Sequence, residues 1–369
     1  DVAQSAREIM RKSLSACLIM KDEAANLTDC LQSIEGQVDE IIVVDTGSTD
    51  DTIDLAKRFG AIVERFCWTG DFAVARNFSL SLATSDFVLV IDADERAPKD
   101  LRAKFDVQTA ICDAFIGRVR IRSSHRDQLM QSRVSISQVT RLLVRRPEVY
   151  FYGPIHEQVA DASNALPRLS LDIELAHSGY DLAPWQMAAK SARNLQLLDA
   201  ALGRADTREE YRAYLQYQLG KTLFALEDWH EARTALAKSL QEAPKHASYR
   251  PELLMTYLHT LKRLELQDEI WPVLLQSLQD YPDLPDLHFF MAGAYIHFGI
   301  ADLSTIERCY RTCIAIGEQT QKYPTVEGVG SYLALYNLGL LYQQSGLHEE
   351  AQALFAEAIR RGYPAHASP

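Results

Sequence analysis

The sequence predicts an α/β domain built on a mostly parallel central sheet, followed by an all-α domain of helical repeats. The first observation is that short apolar runs alternate with stretches of helical spacing over residues 14–204. Such alternation is typical of βαβ units, whose strands lie parallel. The second is a change at residue 205, after which helical patterns continue to residue 369 and recur at intervals. Residues 1–13 are expected to form a tail.

Four strands and three helices are predicted before residue 92. Apolar runs rich in β-branched residues indicate strands at 14–20, 41–44, 61–66 and 87–91. Apolar residues at helical spacing indicate helices at 25–34 and 52–59, and a third helix that begins at Asp71. Because right-handed helical crossovers connect parallel strands, we expect all four strands in one sheet.

Acidic residues follow two of these strands directly. Asp92 and Asp94 come after the run 87–91, and Asp45 comes after the run 41–44. An isolated charge inside a buried strand is costly, so these carboxylates are expected at the carboxyl edge of the sheet, where α/β proteins bind ligands. Two carboxylates one residue apart suit Mg²⁺ or Mn²⁺ carrying a diphosphate. The alternative interpretation is an acidic turn that caps the next helix.

The turn after Asp45 predicts a nucleotide-sized niche. Gly47 allows a tight turn, and Ser48 lies close to the start of the following helix. The sequence has neither the Gly-x-Gly-x-x-Gly pattern nor a P-loop at this point. We therefore expect a nucleotide bound without either motif, although Asp45 alone could simply cap a helix.

Five short motifs, taken in order, resemble family 2 glycosyltransferases of the GT-A fold. They are residues 15–23, residues 39–50, Trp68 with 71–73, residues 75–77, and residues 91–95. The resemblance is strongest to a subgroup with a helical-repeat tail that includes bacteriocin peptide S-glycosyltransferases. It implies transfer of a sugar from a nucleotide sugar, commonly UDP-linked, with inversion.

The resemblance also implies roles for individual residues. Glu23 and Asp45 match positions that hold the uridine, while Asp92 and Asp94 match the Asp-x-Asp motif that binds the metal and the diphosphate. Ser48 in the turn and Arg76 in the motif 75–77 are expected to contact the nucleotide sugar as well.

The motif from Tyr152 to Val159 contains a Gly-Pro break followed by His156 and Glu157. The resemblance assigns this motif to the acceptor cleft. Inverting transfer needs a general base that takes the proton of the attacking group, and we expect Glu157, with His156 beside it, to serve there. A thiol acceptor would need less help, since part of it is already thiolate. The competing interpretations are a surface acid and a structural histidine.

His177 ends another predicted strand, 171–180, and is a candidate third metal ligand by analogy with related enzymes. His156 competes for that role. Lys190 and Arg193 follow on a helix, and a cation such as Arg193 could neutralise the leaving diphosphate. An exposed helix face is the alternative for these cations.

The second half contains a repeated pattern. Gly220 is followed 12 residues later by Ala232, and Gly339 is followed in the same way by Ala351. This pattern resembles tetratricopeptide repeats, in which small residues let paired helices approach closely. Two degenerate units are expected between them, near 254–257 and 291–295. Their stacked face would bind a peptide or protein acceptor, or a second subunit in a homodimer, unless it serves only as scaffold.

The overall composition excludes several classes. A net charge of -12 provides no basic surplus for nucleic acid. No run of about 18 apolar residues predicts a membrane span, and the run 14–20 is too short for a signal peptide. The six cysteines form no Cys-x-x-Cys pair, which favours free thiols in the cytoplasm. Two alternatives to a peptide-modifying enzyme stay open: a silent nucleotide-sugar-binding adaptor, and an enzyme with a lipid or polysaccharide acceptor.

Overall fold

The computed structural model of the chain describes residues 11–126, 132–177, 184–205 and 207–364. The chain divides into two compact units. The first contains the residues up to His125 and those from Gln138 to Thr207, and the second contains Arg126–Ser137 and the residues from Arg208 onward. The α/β class of the first and the all-α repeats of the second confirm the predicted fold class.

The strands of the first unit build one mixed sheet with the order β3-β2-β1-β4-β7-β6-β10-β5. Strands β1 to β4 are all parallel, as the βαβ pattern predicted, and β7 then runs antiparallel to β4. A separate antiparallel hairpin is formed by β8 and β9. The bounds are β1 Leu14–Met20, β2 Glu40–Asp45, β3 Ile62–Arg65, β4 Phe87–Val90, β5 Glu95–Arg96, β6 Ile116–Arg126, β7 Ser132–Val144, β8 Val149–Tyr152, β9 Gln158–Asp161 and β10 Arg168–His177.

Five helices accompany these strands: α1 Ala24–Ile34, α2 Thr52–Arg58, α3 Phe72–Leu82, α4 Leu101–Ile111 and α5 Pro184–Gly203. Helix α3 begins as predicted after Asp71, whose side chain accepts a hydrogen bond from the Val74 amide at 3.1 Å. Helix α4, strand β5 and the β8–β9 hairpin were not predicted. The predicted strand 171–180 corresponds to β10, which begins at Arg168, and residues 178–180 lie outside the described part.

The core of the first unit explains where the sheet stops and the site begins. All four residues of β4 are buried, and Ile91 after them is fully buried as well. The carboxylates follow at the point where Asp92 and Asp94 become partly accessible. Burial of the apolar run therefore fixes these acids at the carboxyl edge of the parallel strands, as expected for a ligand-binding edge.

The described residues of the second unit contain four helix pairs, in line with the two clear and two degenerate repeats that the sequence indicated. The pairs are α6 Glu209–Ala225 with α7 Trp229–Glu242, α8 Arg250–Arg263 with α9 Gln267–Asp280, α10 Pro285–His297 with α11 Leu303–Ile316, and α12 Tyr332–Gln344 with α13 His348–Arg360. Gly220 and Gly339 each face the other helix of their pair. A Cβ atom added to Gly220 would collide with Leu236, and one added to Gly339 would collide with Phe355.

A short strand lies in the connection between the third and the fourth helix pair. Strand β11, Thr325–Val326, pairs antiparallel with Ile136 and Ser135 at the start of β7. Asp286 on α10 fixes this strand, since its carboxylate accepts hydrogen bonds from the Thr325 hydroxyl and, at 3.1 Å, from the Val326 amide.

Among the helices of the described ranges, none combines the length and the apolar character that crossing a bilayer requires. The six cysteines are all free thiols, as the sequence indicated, and four of them are buried.

Candidate active site

Arg76 lies at the centre of the polar cluster at the end of β4. Its Nε donates to Glu157 Oε1 at 2.9 Å, and its Nη2 donates to Asp92 Oδ1 at 2.7 Å. The side chain is 7% exposed, and the two carboxylates keep the pKa of this guanidinium above its ordinary value against the effect of burial. Arg76 thus joins the acidic strand end to Glu157 of the Gly-Pro motif, which lies 81 residues further along the chain than Arg76.

A second arginine, Arg141, holds the other side of Asp92. Its Nη2 lies 2.6 Å from Asp92 Oδ2 and 2.6 Å from Glu95 Oε1. Burial opposes ionisation of Asp92, but the charges of Arg141 and Arg76 outweigh it and hold the pKa of Asp92 well below its ordinary value. Glu95 is 3% exposed at its side chain, and burial raises its pKa despite the charge of Arg141. Both oxygens of Asp92 are therefore used by arginines.

Asp94 points to a different partner. Its Oδ2 lies 3.1 Å from His177 Nε2, and the other ring nitrogen of His177 lies 3.2 Å from Ser123 Oγ. These two contacts orient the imidazole from both sides, as surrounding groups do for histidines that bind metals. His177 thus lies beside Asp94 of the Asp-x-Asp motif, and its role as a third metal ligand stays a prediction.

The loops after β1 and β2 are tied to each other. Asp45 is 2% exposed, and its carboxylate accepts hydrogen bonds from the Gly47 and Ser48 amides at 3.2 and 3.0 Å. Ser48 Oγ in turn accepts from the Asp22 amide at 2.9 Å, and Asp22 Oδ1 accepts from the Thr49 amide at 2.7 Å. Asp22 adopts a positive φ of 53°, which aspartate tolerates better than most residues. Asp45 and Ser48 thus shape the predicted turn.

Glu23 faces the acidic strand end. Burial raises its pKa, the charges of Asp94 and Asp92 act in the same direction, and Lys190 opposes them. The hydrogen bond that it accepts from Asn26 Nδ2 at 3.0 Å holds the carboxylate in place. The expected nucleoside residue Glu23 and the expected phosphate residues Asp92 and Asp94 therefore belong to one electrostatic cluster.

The segment that carries His156 and Glu157 is fixed to helix α3. The Phe72 amide donates to the Pro154 carbonyl at 2.9 Å. Asn77 forms two hydrogen bonds of 2.8 Å with the backbone of Phe151, one in each direction. His156 adopts a φ of 50°, a strained conformation of the kind that clusters at functional sites. This backbone brings the Glu157 carboxylate to Arg76.

The cations of α5 separate into two positions. Lys190 acts electrostatically on Glu23, whereas the Arg193 guanidinium lies 6.0 Å from the centre of the Phe72 ring. The role of Arg193 at the diphosphate stays a prediction, as does a role for Lys190 there. The predicted site residues that the structure brings together are Glu23, Arg76, Asp92, Asp94, Glu157 and His177.

Sequence reasoning missed Arg141 and Glu95. Glu95 belongs to the motif 91–95 but was assigned no role of its own, and Arg141 was assigned none. Their adjacency depends on the pairing of β4 with β7, in which Leu89 lies opposite Leu142. Continuing this register by one residue brings Arg141 opposite Val90, two residues before Asp92. A charged residue inside an apolar strand pattern, Arg141-Leu142-Leu143-Val144, was the one available signal.

The donor atoms of Asp94 and His177 fit a divalent cation. A carboxylate oxygen and an imidazole nitrogen 3.1 Å apart match neighbouring ligands of a metal with bonds of about 2.1 Å, and Mn²⁺ accepts both types. Each oxygen of Asp92 accepts a hydrogen bond from an arginine, Arg76 or Arg141, but keeps a second lone pair, so direct binding of the metal by Asp92 stays a prediction. Within the described residues, no group of three or more His, Cys, Asp or Glu side chains could hold a metal by itself.

Comparison with known proteins gives matches to both units. Residues 15–175 match the model of glycosyl transferase family 2, and residues 214–246 and 333–366 match that of the tetratricopeptide repeat. A TPR repeat-containing protein of Synechococcus elongatus is 34% identical over 253 residues, which is 65% of this chain and 60% of that protein. The SPbeta prophage-derived glycosyltransferase SunS of Bacillus subtilis is 26% identical over 288 residues, 76% of this chain and 66% of SunS.

Among solved structures, S. aureus TarS 1–349 in complex with UDP-GlcNAc gives a TM-score of 0.37 at 15% identity, over 66% of this chain and 87% of that one. The chain spans less than two thirds of the length of the first relatives named above. The family match covers every acidic residue of the site described here, from Glu23 to Glu157. The first unit of this chain is a glycosyl transferase family 2 domain, and the chain carries tetratricopeptide repeats after it.

Proposed function

We propose that this protein transfers a sugar from a nucleotide sugar, UDP-linked by preference, to a Cys, Ser or Thr side chain of a peptide or protein. The observation that carries the proposal is the Arg76 bridge between Glu157 and Asp92. Through this one side chain, Glu157, which we assign to the acceptor, is held close to Asp92, which we assign to the donor. Close approach of a base and a donor group is what direct displacement at a sugar carbon requires.

Glu157 is the proposed general base. Arg76 holds Oε1, and among the described residues none donates a hydrogen bond to Oε2, so this oxygen can take the acceptor's proton. The acceptor S or O atom then forms a bond to the anomeric carbon, while the bond from that carbon to the diphosphate oxygen breaks and its electron pair leaves with the nucleotide. Attack opposite to the leaving group inverts the anomeric configuration.

The donor side consists of the acidic cluster. Asp94 and His177 are the proposed metal ligands, and a divalent cation there would neutralise the leaving diphosphate. Asp92 contributes by holding Arg76, and Lys190 adds a positive charge near the same edge. Glu23, Asp45 and Ser48 form the proposed nucleoside side, where Asp45 acts by shaping the turn.

The repeats support a peptide or protein as the acceptor, because stacked helix pairs present extended surfaces for chains rather than for small molecules. A homodimer formed through these repeats and a cytoplasmic location remain predictions of the same proposal. The resemblance to peptide glycosyltransferases favours the same class of acceptor.

The proposal is tested by incubating the protein with Mn²⁺, a panel of nucleotide sugars and a pool of synthetic peptides that contain Cys, Ser or Thr. UDP release is measured together with the intact mass of each peptide. We expect release of UDP and a peptide mass increase of one hexose or N-acetylhexosamine. Glu157→Gln should lower transfer at least about 100-fold, a usual effect of losing a general base, whereas the exposed Glu35→Gln should not.

Each negative result has a distinct meaning. No UDP release from any donor would favour a silent adaptor and overturn the proposal. UDP release without any modified peptide would favour another acceptor class, such as a lipid or a polysaccharide.

A further inference from the structure

Two aromatic residues beside the site have no role in the mechanism above. The rings of Trp68 and Phe72 meet edge to face, with centroids 4.7 Å apart. Trp68 is 39% exposed and Phe72 is half-buried. An exposed tryptophan in contact with a second ring is unusual on a surface that binds nothing, because large aromatic side chains dominate binding energetics. We call this pair the aromatic platform.

The platform is attached to the segment that carries the proposed base. The Phe72 amide donates to the Pro154 carbonyl at 2.9 Å, and Glu157 follows three residues later. Phe72 also lies one helical turn before Arg76 on α3, so the two side chains share one face with Cβ atoms about 5–6 Å apart. Since Arg76 holds Glu157 at 2.9 Å, the platform is next to the base.

A positive charge borders the platform. The Arg193 guanidinium lies 6.0 Å from the centre of the Phe72 ring, within the range of a cation–π interaction. Arg193 is exposed, whereas the donor acids Asp92 and Asp94 interact with Arg76, Arg141 and His177 instead. The ring surface and this cation therefore suit a partner with an apolar group and a nearby negative charge.

We propose that the aromatic platform, with Arg193, binds an apolar side chain of the acceptor peptide two residues away from the glycosylated residue. This inference rests on the proposed function. In an extended peptide, side chains two residues apart lie on the same face about 7 Å from each other. That distance is slightly longer than the spacing of about 5–6 Å between Phe72 and Arg76 on α3. A peptide whose acceptor atom reaches Glu157, the partner of Arg76, can therefore lay the second side chain on the rings. A carboxylate beside it would meet Arg193.

The kinetic test uses synthetic dodecapeptides with a central acceptor residue and Phe, Leu or Ala two positions away. We expect the Phe and Leu peptides to have a KM at least 10-fold lower than the Ala peptide. Trp68→Ala should abolish this preference by raising the peptide KM, with less than twofold change in the KM for the donor. Val74→Ala, an exposed apolar side chain on the same helix that lies two residues beyond Phe72, is the matched control and should keep the preference.

A binding measurement decides the question even if no sugar is transferred. The protein has four tryptophans, so 5-fluorotryptophan labelling gives four ¹⁹F signals, and Trp68→Phe identifies that of Trp68. With UDP and Mn²⁺ present, the Phe and Leu peptides at millimolar concentration should shift this signal, and the Ala peptide should not. Phe72→Leu should weaken the shift.

The outcomes separate the subsite from the function on which it rests. Absence of UDP release together with a peptide-dependent shift of the Trp68 signal would overturn the proposed transferase function but support the peptide subsite. An unshifted Trp68 signal with every peptide would overturn the subsite, and so would a Trp68→Ala variant that raises the donor KM instead, because the rings would then stack on the sugar.

Discussion

Arg76 Nε lies 2.9 Å from Glu157 Oε1, and this ion pair fixes the one carboxylate that the mechanism needs as a base. The side chains of both residues are largely buried, at 7% and 14% exposure. Such a pair retains its geometry because breaking it leaves an uncompensated charge in a poorly solvated place. The position of Glu157 therefore depends on helix α3 as much as on its own loop.

Replacement of Arg76 by lysine should disrupt this geometry. A lysine carries the charge but cannot donate in two fixed directions to Glu157 and Asp92, so we expect transfer and UDP release to fall at least about 100-fold. The measurement is the initial rate of UDP release with a saturating donor. Arg120→Lys is the matched control, since Arg120 also bridges two acids, Asp172 and Glu174, but on the β6–β10 pair. Equal losses in the two variants would indicate a structural effect only.

Removal of Arg141 should lower the stability of the first unit, because Arg141 is the positive partner of buried acids. Arg141→Met leaves Glu95, a side chain 3% exposed, without its positive partner, and we expect a cost of about 3–5 kcal/mol in the free energy of unfolding. The double variant Arg141→Met, Glu95→Gln should recover more than about 1 kcal/mol of it, because the neutral side chain no longer needs the partner. Urea unfolding followed by circular dichroism measures both. Strict additivity of the two single changes would contradict the pairing.

The edge of the sheet could be predicted from the sequence, since apolar runs that end in acids reveal both the strand and its carboxyl end. The same argument located Asp45, Asp92 and Asp94 at one edge. It could not show that Arg141 neutralises Asp92, because the antiparallel register of β7 on β4 is a long-range property with no local pattern.

A similar limit applies to the cations of α5. Helical spacing predicts which residues share a face, but the direction of that face depends on how the helix packs. Arg193, which the sequence suggested for the diphosphate, lies over the Phe72 ring, while Lys190 acts electrostatically on Glu23. Which of the two cations meets the diphosphate stays a prediction. The Asp-x-Asp pattern likewise does not reveal that arginines donate hydrogen bonds to both oxygens of Asp92.

The two acids of the Asp-x-Asp motif should differ in metal binding. Asp94→Asn should weaken Mn²⁺ binding in the presence of UDP at least about 10-fold, because it removes a carboxylate ligand next to His177. Asp92→Asn should weaken Mn²⁺ binding less than Asp94→Asn, since each oxygen of Asp92 already accepts a hydrogen bond from Arg76 or Arg141. Isothermal titration with Mn²⁺ gives both constants without any turnover. A greater loss in Asp92→Asn would show that Asp92 contributes more to metal binding than Asp94.

The repeats provide a matched pair of glycines. A Cβ at Gly220 would lie 2.6 Å from Leu236 Cδ2 and 3.3 Å from its backbone nitrogen, whereas a Cβ at Gly293 meets nothing within 4 Å. Gly220→Ala should therefore destabilise the second unit by about 1–3 kcal/mol through overpacking. Gly293→Ala should stabilise it by up to about 1 kcal/mol, because alanine favours a helix interior. Thermal unfolding of both variants tests this, and a shift of equal sign would show that Gly220 is not a contact point.

Asp286 should make the attachment of β11 depend on pH. Burial raises its pKa from 3.8 to about 6, although the hydrogen bonds from Thr325 and Val326 oppose this. Below pH 3.8 the carboxyl is protonated in both the folded and the unfolded state, so its contribution to stability is fully present. As the pH rises to about 6 and beyond, the unfolded chain ionises first, and up to about 3 kcal/mol is lost.

Replacement of Asp286 by asparagine removes this titration, so the variant should lose less stability than the wild type between pH 4 and pH 7. Hydrogen exchange of a peptide that contains Thr325 and Val326, corrected for the intrinsic effect of pH, reports the local opening free energy. Asp283→Asn is the control, because the effect of Asp283 on stability should have the opposite pH dependence. Hydrogen bonds with Lys322 and Tyr323 lower the pKa of Asp283, so its ionised form stabilises the fold only at higher pH. If Asp286→Asn keeps the wild-type slope, another group is responsible for the pH dependence, and Asp286 is ionised without cost to the fold.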